Sequence, residues 1–156
     1  MVGNKVSYYP NIRLAKNFIL REAIEWAVHL PMSNEDVRKA TDLAMKNLNP
    51  QVLVYMSYQA MRLQHLRDSL NRDYPDLKLR IRVTSWLRPV EWEHYRGRDG
   101  TSQHTTGHAT DIVVIGAPAE LHESVMESAY KKLKILRGFT KKYDTFIHND
   151  QRGIFI

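Results

Sequence analysis

Leu77-Lys78-Leu79-Arg80-Ile81-Arg82-Val83-Thr84 alternates apolar and polar residues without a break. A period of two puts Leu77, Leu79, Ile81 and Val83 on one face and Lys78, Arg80, Arg82 and Thr84 on the other. That is the pattern of a strand with one buried face and one wet, basic face. The segments on either side say what covers the buried face.

Upstream the pattern is helical. Glu22 to His29 reads as a short helix stopped by Pro31, and Ser33-Asn34-Glu35-Asp36 caps a second that runs to about Asn47. Asn49-Pro50 opens a longer one with Met56, Ala60, Leu63, Leu66 and Leu70 as its apolar stripe and Arg62, Arg67 and Asp68 facing out. Downstream, the strand delivers Ser85 and Arg88 at its end. A long loop from Pro89 to Thr101, with Gly97 and Gly100 as turn residues, returns the chain to His104. Asp111-Ile112-Val113-Val114-Ile115 reads as a buried strand. Pro118 suits the first turn of a helix whose inward face is Leu121, Val125, Ala129 and Leu133, and Gly138 closes that segment. A last strand, about Asp144 to Asp150, sets Asp144, Phe146, His148 and Asp150 on one side and Thr145, Ile147 and Asn149 on the other. The order predicts an α+β fold, a small antiparallel sheet with helices packed on one face. One domain is expected over 1–156, helical from about 14 to 75 and sheet-bearing from about 76 to 156.

The 156 residues suffice for a core, and 43% hydrophobic with 26% charged residues is ordinary for a soluble globular chain. No run approaches a membrane span. Met1 to Pro10 lacks the apolar centre of a signal peptide, so the chain is expected to be made in a cytoplasm and not exported by that route. The absence of cysteine excludes disulfides and thiolate metal sites. A net charge of +6 favours polyanionic partners such as an anionic cell envelope. The basic residues are dispersed and carry no recognition-helix or RNA-binding signature, so nucleic acid is not the expected partner. A monomer is expected.

The chemistry concentrates at His104, Asp111 and His148. Two imidazoles and a carboxylate are the protein ligands of a catalytic zinc site with one position left for water. Their net positive centre would acidify that water and polarise a carbonyl. Gly107 and Ala109 let backbone pack closely beside the site. A carboxylate at the mouth of a buried strand, as Asp111 is, needs a partner, and a metal is a natural one. His108 is four residues from His104, as in helical His-Glu-x-x-His sites, but Thr105 replaces the Glu and Gly107 argues against a helix.

Ser85-Trp86-Leu87-Arg88-Pro89, then Gly100-Thr101-Ser102-Gln103-His104, then Gly107-His108-Ala109-Thr110-Asp111, and finally Phe146-Ile147-His148-Asn149-Asp150 follow one another in order. Together they resemble the zinc D-alanyl-D-alanine carboxypeptidase family, with its pattern Ser-x-x-Arg, Ser-x-His-(six)-Asp and a strand ending in a third ligand His. Its relatives include phage endolysins that cut peptidoglycan peptides, and the hedgehog signalling domain shares the fold. Leu14 to Glu22 also resembles the family's N-terminal segment.

The resemblance implies zinc on His104, Asp111 and His148. It implies that Arg88 acts on a peptide carbonyl or terminal carboxylate, while Ser102 and Ser85 would hydrogen-bond substrate. An ion pair of Arg88 with Glu91 or Glu93, and a turn-forming Ser102 hydroxyl, are the structural alternatives. Asp150, one pleat repeat or roughly 7 Å from His148, is the first candidate general base, and Asp144 the second. Many members carry an acid three before the third ligand, where this chain has Thr145. The expected function is zinc-dependent hydrolysis of peptidoglycan stem or cross-link peptides at D-amino acids. A phage or prophage lytic enzyme, released at lysis or carried in the virion, is the expected setting. The alternative is a non-catalytic zinc-containing binding or phage structural module of the same fold.

Overall fold

The computed structural model describes residues 12–154. The Met1–Pro10 stretch read for a signal peptide lies outside them.

Strands β1 (Arg13–Ala15) and β2 (Phe18–Ile19) form a small antiparallel hairpin that runs straight into helix α1 (Leu20–Ile24). Glu22 reaches back to the Ile19 amide at 2.8 Å and fixes that start. The single helix read over Glu22–His29 is therefore two pieces, α1 and a 3₁₀ turn at Trp26–His29. Helix α2 (Asn34–Lys46) starts at Ser33, whose hydroxyl accepts from the Asp36 amide at 3.1 Å. Helix α3 (Pro50–Asp73) starts at Asn49, which caps Val52 in the same way, with proline in the first turn. Its stripe of Met56, Ala60, Leu63, Leu66 and Leu70 is buried as the spacing requires. Arg62 was read as outward-facing, but it is buried. Its Nε donates to Asn149 Oδ1 at 3.2 Å, so a long-range polar partner overrides its place in the helical pattern.

The main sheet has the order β3-β4-β6-β5, all antiparallel, from β3 (Arg80–Ser85), β4 (Ala109–Ile115), β5 (Phe139–Lys142) and β6 (Ile147–Asp150). Ile81, Val83, Ile112, Val114 and Ile147 bury the face that meets α3 and helix α5 (Ala119–Ile135). The α+β architecture is thus as the sequence implies, with local differences. The Pro89–Thr101 loop contains a helix, α4 (Val90–Tyr95). β5 falls between Gly138 and Asp144, where the sequence pattern assigns no element, and β6 begins at Ile147, which leaves Asp144 in the preceding turn. On α5, Val125, Met126, Ala129 and Leu133 face inward while Leu121, expected on the same face, is exposed.

Register decides which side chains can meet. Asp111 pairs with His148 across β4 and β6, and Thr110 pairs with Asn149. Successive residues point to opposite faces, so Asp111 and His148 emerge on the face away from α3, and Thr110 and Asn149 on the face towards it. A bulge between Val83 and Ser85 brings Ser85 opposite Asp111. Without that extra residue, strict alternation would send Ser85 to the same side as Val83.

Candidate metal and substrate site

Each of the three expected ligands is delivered by a different backbone device. Asp111 and His148 are cross-strand neighbours on the two inner strands of the sheet. His104 sits in a 3₁₀ turn, Gln103–Thr106, that begins at Ser102 and ends at Gly107. Ser102 Oγ accepts from the His104 amide at 3.2 Å. Gly107 closes the turn at φ +80°, and a Cβ there would lie 2.8 Å from Met56 Cγ, so conformation and space both call for glycine. Trp86 grips the turn twice: its indole donates to the Gly107 carbonyl at 3.2 Å, and its own carbonyl lies 2.9 Å from His104 Nδ1.

The result is convergence. Ligand atoms of His104, Asp111 and His148 all lie within 4.8 Å of one another. Asp111 Oδ1 is 3.2 Å from His104 Nε2 and 2.9 Å from His148 Nδ1. The far nitrogen of His148 meets Asp150 Oδ2 at 2.9 Å.

Proton counting tests whether this cluster suits a cation. The Trp86 carbonyl can only accept, so His104 Nδ1 must carry the hydrogen. A neutral His104 then presents the bare lone pair of Nε2 to a carboxylate oxygen. His148 lies between two carboxylates, and as a neutral ring it can donate to only one of them. Lone pairs therefore face one another across the centre of the cluster, an arrangement that a proton or a metal ion between them resolves. Both outer nitrogens are anchored, one by a backbone carbonyl and one by a carboxylate, as metal-bound histidines usually are. The donor set fits a metal.

The protonation tendencies agree. Burial pushes His104 below its usual value against the pull of Asp111, which favours the neutral ring. Burial also disfavours a charged His148, but hydrogen bonds to Asp111 and Asp150 outweigh it and raise the group to about 9 in the metal-free protein. Burial opposes the Asp111 carboxylate too, yet the two imidazoles hold it well below the usual range. A site so eager for a proton is one where a cation can replace it.

A cleft of about 320 Å³ runs from Asp111 past Thr84, Ser85 and Arg88, with Trp26, Trp92 and Phe146 among its walls. Arg88 Nη2 donates to Ser102 Oγ at 3.4 Å, and Arg88 Nε forms an ion pair with Glu93 at 3.0 Å. Arg88 thus braces the loop and lines the cleft at once. Ser85 Oγ is buried with no hydrogen-bond partner among the described residues.

Metal-site geometry of this kind is shared by many hydrolases; the chain's sequence profile narrows it. A protein-family model described as Peptidase M15 matches residues 27–150. The chain belongs to the peptidase M15 family. No curated protein and no solved structure matches it. The matched span of this M15 peptidase contains His104, Asp111 and His148 and every cleft residue named above except Trp26, which immediately precedes it.

Other expected site residues take distinct places. Asp150 is fully buried, with Oδ2 held by His148 and by Arg152 Nη2 at 3.0 Å and Oδ1 by the Arg152 amide at 2.9 Å. Asp144 is exposed in the turn before Phe146. His108 lies outside the three-residue cluster and stacks on Tyr55.

Several contributors were beyond the reach of sequence reading. Trp86 looks like an ordinary core-loop residue, and Glu93, one of the two acids expected to pair with Arg88, gave no sign that it also holds Arg98. Gln59, far away on α3, donates to Thr110 Oγ1 at 2.8 Å and Asn149 Oδ1 at 2.9 Å, pinning both ligand strands from behind. A polar residue in the middle of an apolar helical stripe was the one available signal for Gln59.

Proposed function

We propose that this chain is a zinc-dependent peptidase that hydrolyses a peptide bond next to a D-amino acid in peptidoglycan stem or cross-link peptides, in a phage or prophage lytic setting. The observation that carries the reading is the meeting of His104, Asp111 and His148 beside a cleft lined by Arg88, inside the family-matched span. Two imidazoles and one carboxylate, with no cysteine, suit zinc better than magnesium or calcium. The net charge of +6 supports work at an anionic envelope.

When bound, the ion supplies Lewis acidity towards a carbonyl and makes water more acidic. The chain's own residues do the rest. Asp150 is a positioning residue: it holds the far nitrogen of His148 and turns the near one inward. With both of its oxygens engaged, Asp150 is less suited to take a proton than Asp144, which is exposed in the turn two residues before cleft-lining Phe146. Arg88 offers its outer guanidinium nitrogens to a substrate carbonyl or carboxylate, Ser85 offers a hydroxyl at the same wall, and Ser102 supports Arg88 through Nη2. Trp26, Trp92 and Phe146 exclude water from one flank.

Purified chain is expected to bind close to one zinc per molecule, and to release new amino termini from purified peptidoglycan in a chelator-sensitive manner. His104→Ala, Asp111→Ala and His148→Ala should each abolish both. One thing favours the non-catalytic module: Thr145 occupies the position where many relatives carry an acid. Zinc retained by the wild type with no cleavage of any wall peptide would establish that module in place of the enzyme.

A further inference from the structure

The carboxylate of Glu93, on α4, has no exposure at all. One of its oxygens lies 3.0 Å from Arg88 Nε, and the other accepts from Arg98 Nη1 at 3.0 Å. A buried carboxylate demands compensation, and two guanidiniums supply it. Glu93 therefore fixes Arg88 and Arg98 next to each other on the cleft wall, and both line the cleft that ends at Asp111. One negative group against two positive ones leaves an unmatched positive charge. Two neighbouring acids are already paired: Asp36 is taken by Arg96 at 3.4 Å, and Asp99 accepts from the Thr101 amide and hydroxyl. Asp111 also acts on Arg88, but its carboxylate faces His104 and His148 at 3.2 and 2.9 Å. Arg98 is half exposed, and only one of its nitrogens is committed to Glu93. Its remaining donors are open to the cleft.

We propose that Arg88 and Arg98, aligned by Glu93, form a two-guanidinium receptor for a substrate carboxylate, and that Arg98 is a specificity-determining residue selecting acidic over amidated peptides. This rests on the reading of the cleft as a peptide site. Paired guanidiniums suit a carboxylate because each offers two parallel donors in a plane, and an amide in the same place would leave donors unpaired. The carboxylate could be the peptide's C-terminal group or a side-chain acid. The chemistry is the same, and separate probes tell them apart. Glu93 acts through the arginines and does not itself touch substrate.

The test is equilibrium binding, read by NMR titration of zinc-loaded and metal-free protein, so it does not depend on turnover. The probes are N-acetyl-D-alanyl-D-alanine, its C-terminal amide, and N-acetyl-D-alanyl-D-glutamic acid α-amide, whose sole carboxylate is on the side chain. At least one acid should bind roughly tenfold or more tightly than the neutral amide, the scale of one charged hydrogen bond. Arg98→Gln should still fold and keep its zinc stoichiometry, with a melting temperature lowered because buried Glu93 loses one of its two cations, yet at a temperature well below that melt it should bring the ratio close to one. Arg98→Lys should restore it only in part, because ammonium cannot reproduce the fork. The acid whose preference collapses identifies the carboxylate recognised. Equal binding of acids and amide by the wild type, or an unchanged ratio in Arg98→Gln, would overturn the proposal. Cleavage of wall peptides without acid preference would overturn the receptor alone; acid preference without any cleavage would overturn the peptidase reading alone.

Discussion

At the scale of single residues, the site is a set of carboxylates with different tasks. Asp111 faces both imidazoles, Asp150 faces the outer nitrogen of one, Glu93 aligns guanidiniums, and Asp144 is exposed. The contrast between Asp150 and Asp144 is testable by paired amide substitutions. Asp150→Asn keeps the shape but weakens the anchor on His148, so zinc affinity should fall by roughly 10- to 100-fold, measured by competition with a chelating dye. Asp144→Asn should leave zinc affinity alone and slow peptide cleavage by about a hundredfold, the usual scale for a lost general base. If Asp150→Asn binds zinc as well as wild type, the positioning role is wrong. The meeting of His104, Asp111 and His148 was legible in the sequence because each sits in a distinctive frame of small and apolar neighbours. The Arg88–Glu93 pair was one of two readings open in the sequence, but the task of Asp150 and the second hold of Glu93 on Arg98 were not legible, because they depend on which ring nitrogen or guanidinium lies opposite, and period-two or period-3.6 patterns carry no such information.

At the scale of elements, long periodic segments were readable and short ones were not. Helices α2, α3 and α5 and strands β3 and β4 follow from caps and spacing. The two- and three-residue strands of the β1–β2 hairpin, the six residues of α4 and the four of β5 are too short to show a period. The bulge in β3 shows the limit most directly: alternation through Val83 assigns Ser85 to the wrong side, and only pairing with Asp111 reveals the extra residue. The His104 turn gives a prediction at this scale. Gly107→Ala would force an alanine to φ +80° with its Cβ 2.8 Å from Met56. The left-handed strain and the overpacking together cost about 2–4 kcal/mol, which corresponds to a melting temperature lower by roughly 5–15 °C. Zinc affinity should fall with it, because the turn carries a ligand. An unchanged melting curve would show that Met56 yields readily.

At the scale of the whole molecule, the cluster ties folding to pH. In the metal-free protein His148 titrates near about 9, above its ordinary 6.5, so its contribution to stability is complete below 6.5 and is lost as pH rises through about 9. Asp111 is shifted the other way, so its contribution is present above the ordinary 3.8 and is lost as pH falls towards its depressed folded value. Burial depresses His104, so its contribution is lost as pH falls below 6.5, and thermal melts of chelator-treated protein should show a maximum near pH 6.5 with a decline towards pH 9 and another towards acid. Added zinc should reverse the trend, since the ion displaces the proton from His148, and its stabilising effect should grow with pH. A metal-free melting temperature that rises from pH 6.5 to 9 would contradict the proton-bridged cluster. Among the described residues no helix is long and apolar enough to cross a membrane.

The strand order has a kinetic consequence. Asp111 and His148 ride on β4 and β6, the two strands flanked on both sides, and Gln59 ties their rear faces to α3. His104 rides on a turn of four residues. Separating Asp111 from His148 means dismantling the sheet, which is global unfolding, whereas freeing His104 needs only a sub-global opening. An ion held by all three therefore exchanges at a rate set by that one turn. Mutations that loosen the turn should therefore shorten the residence of such an ion by more than their effect on the melting temperature accounts for.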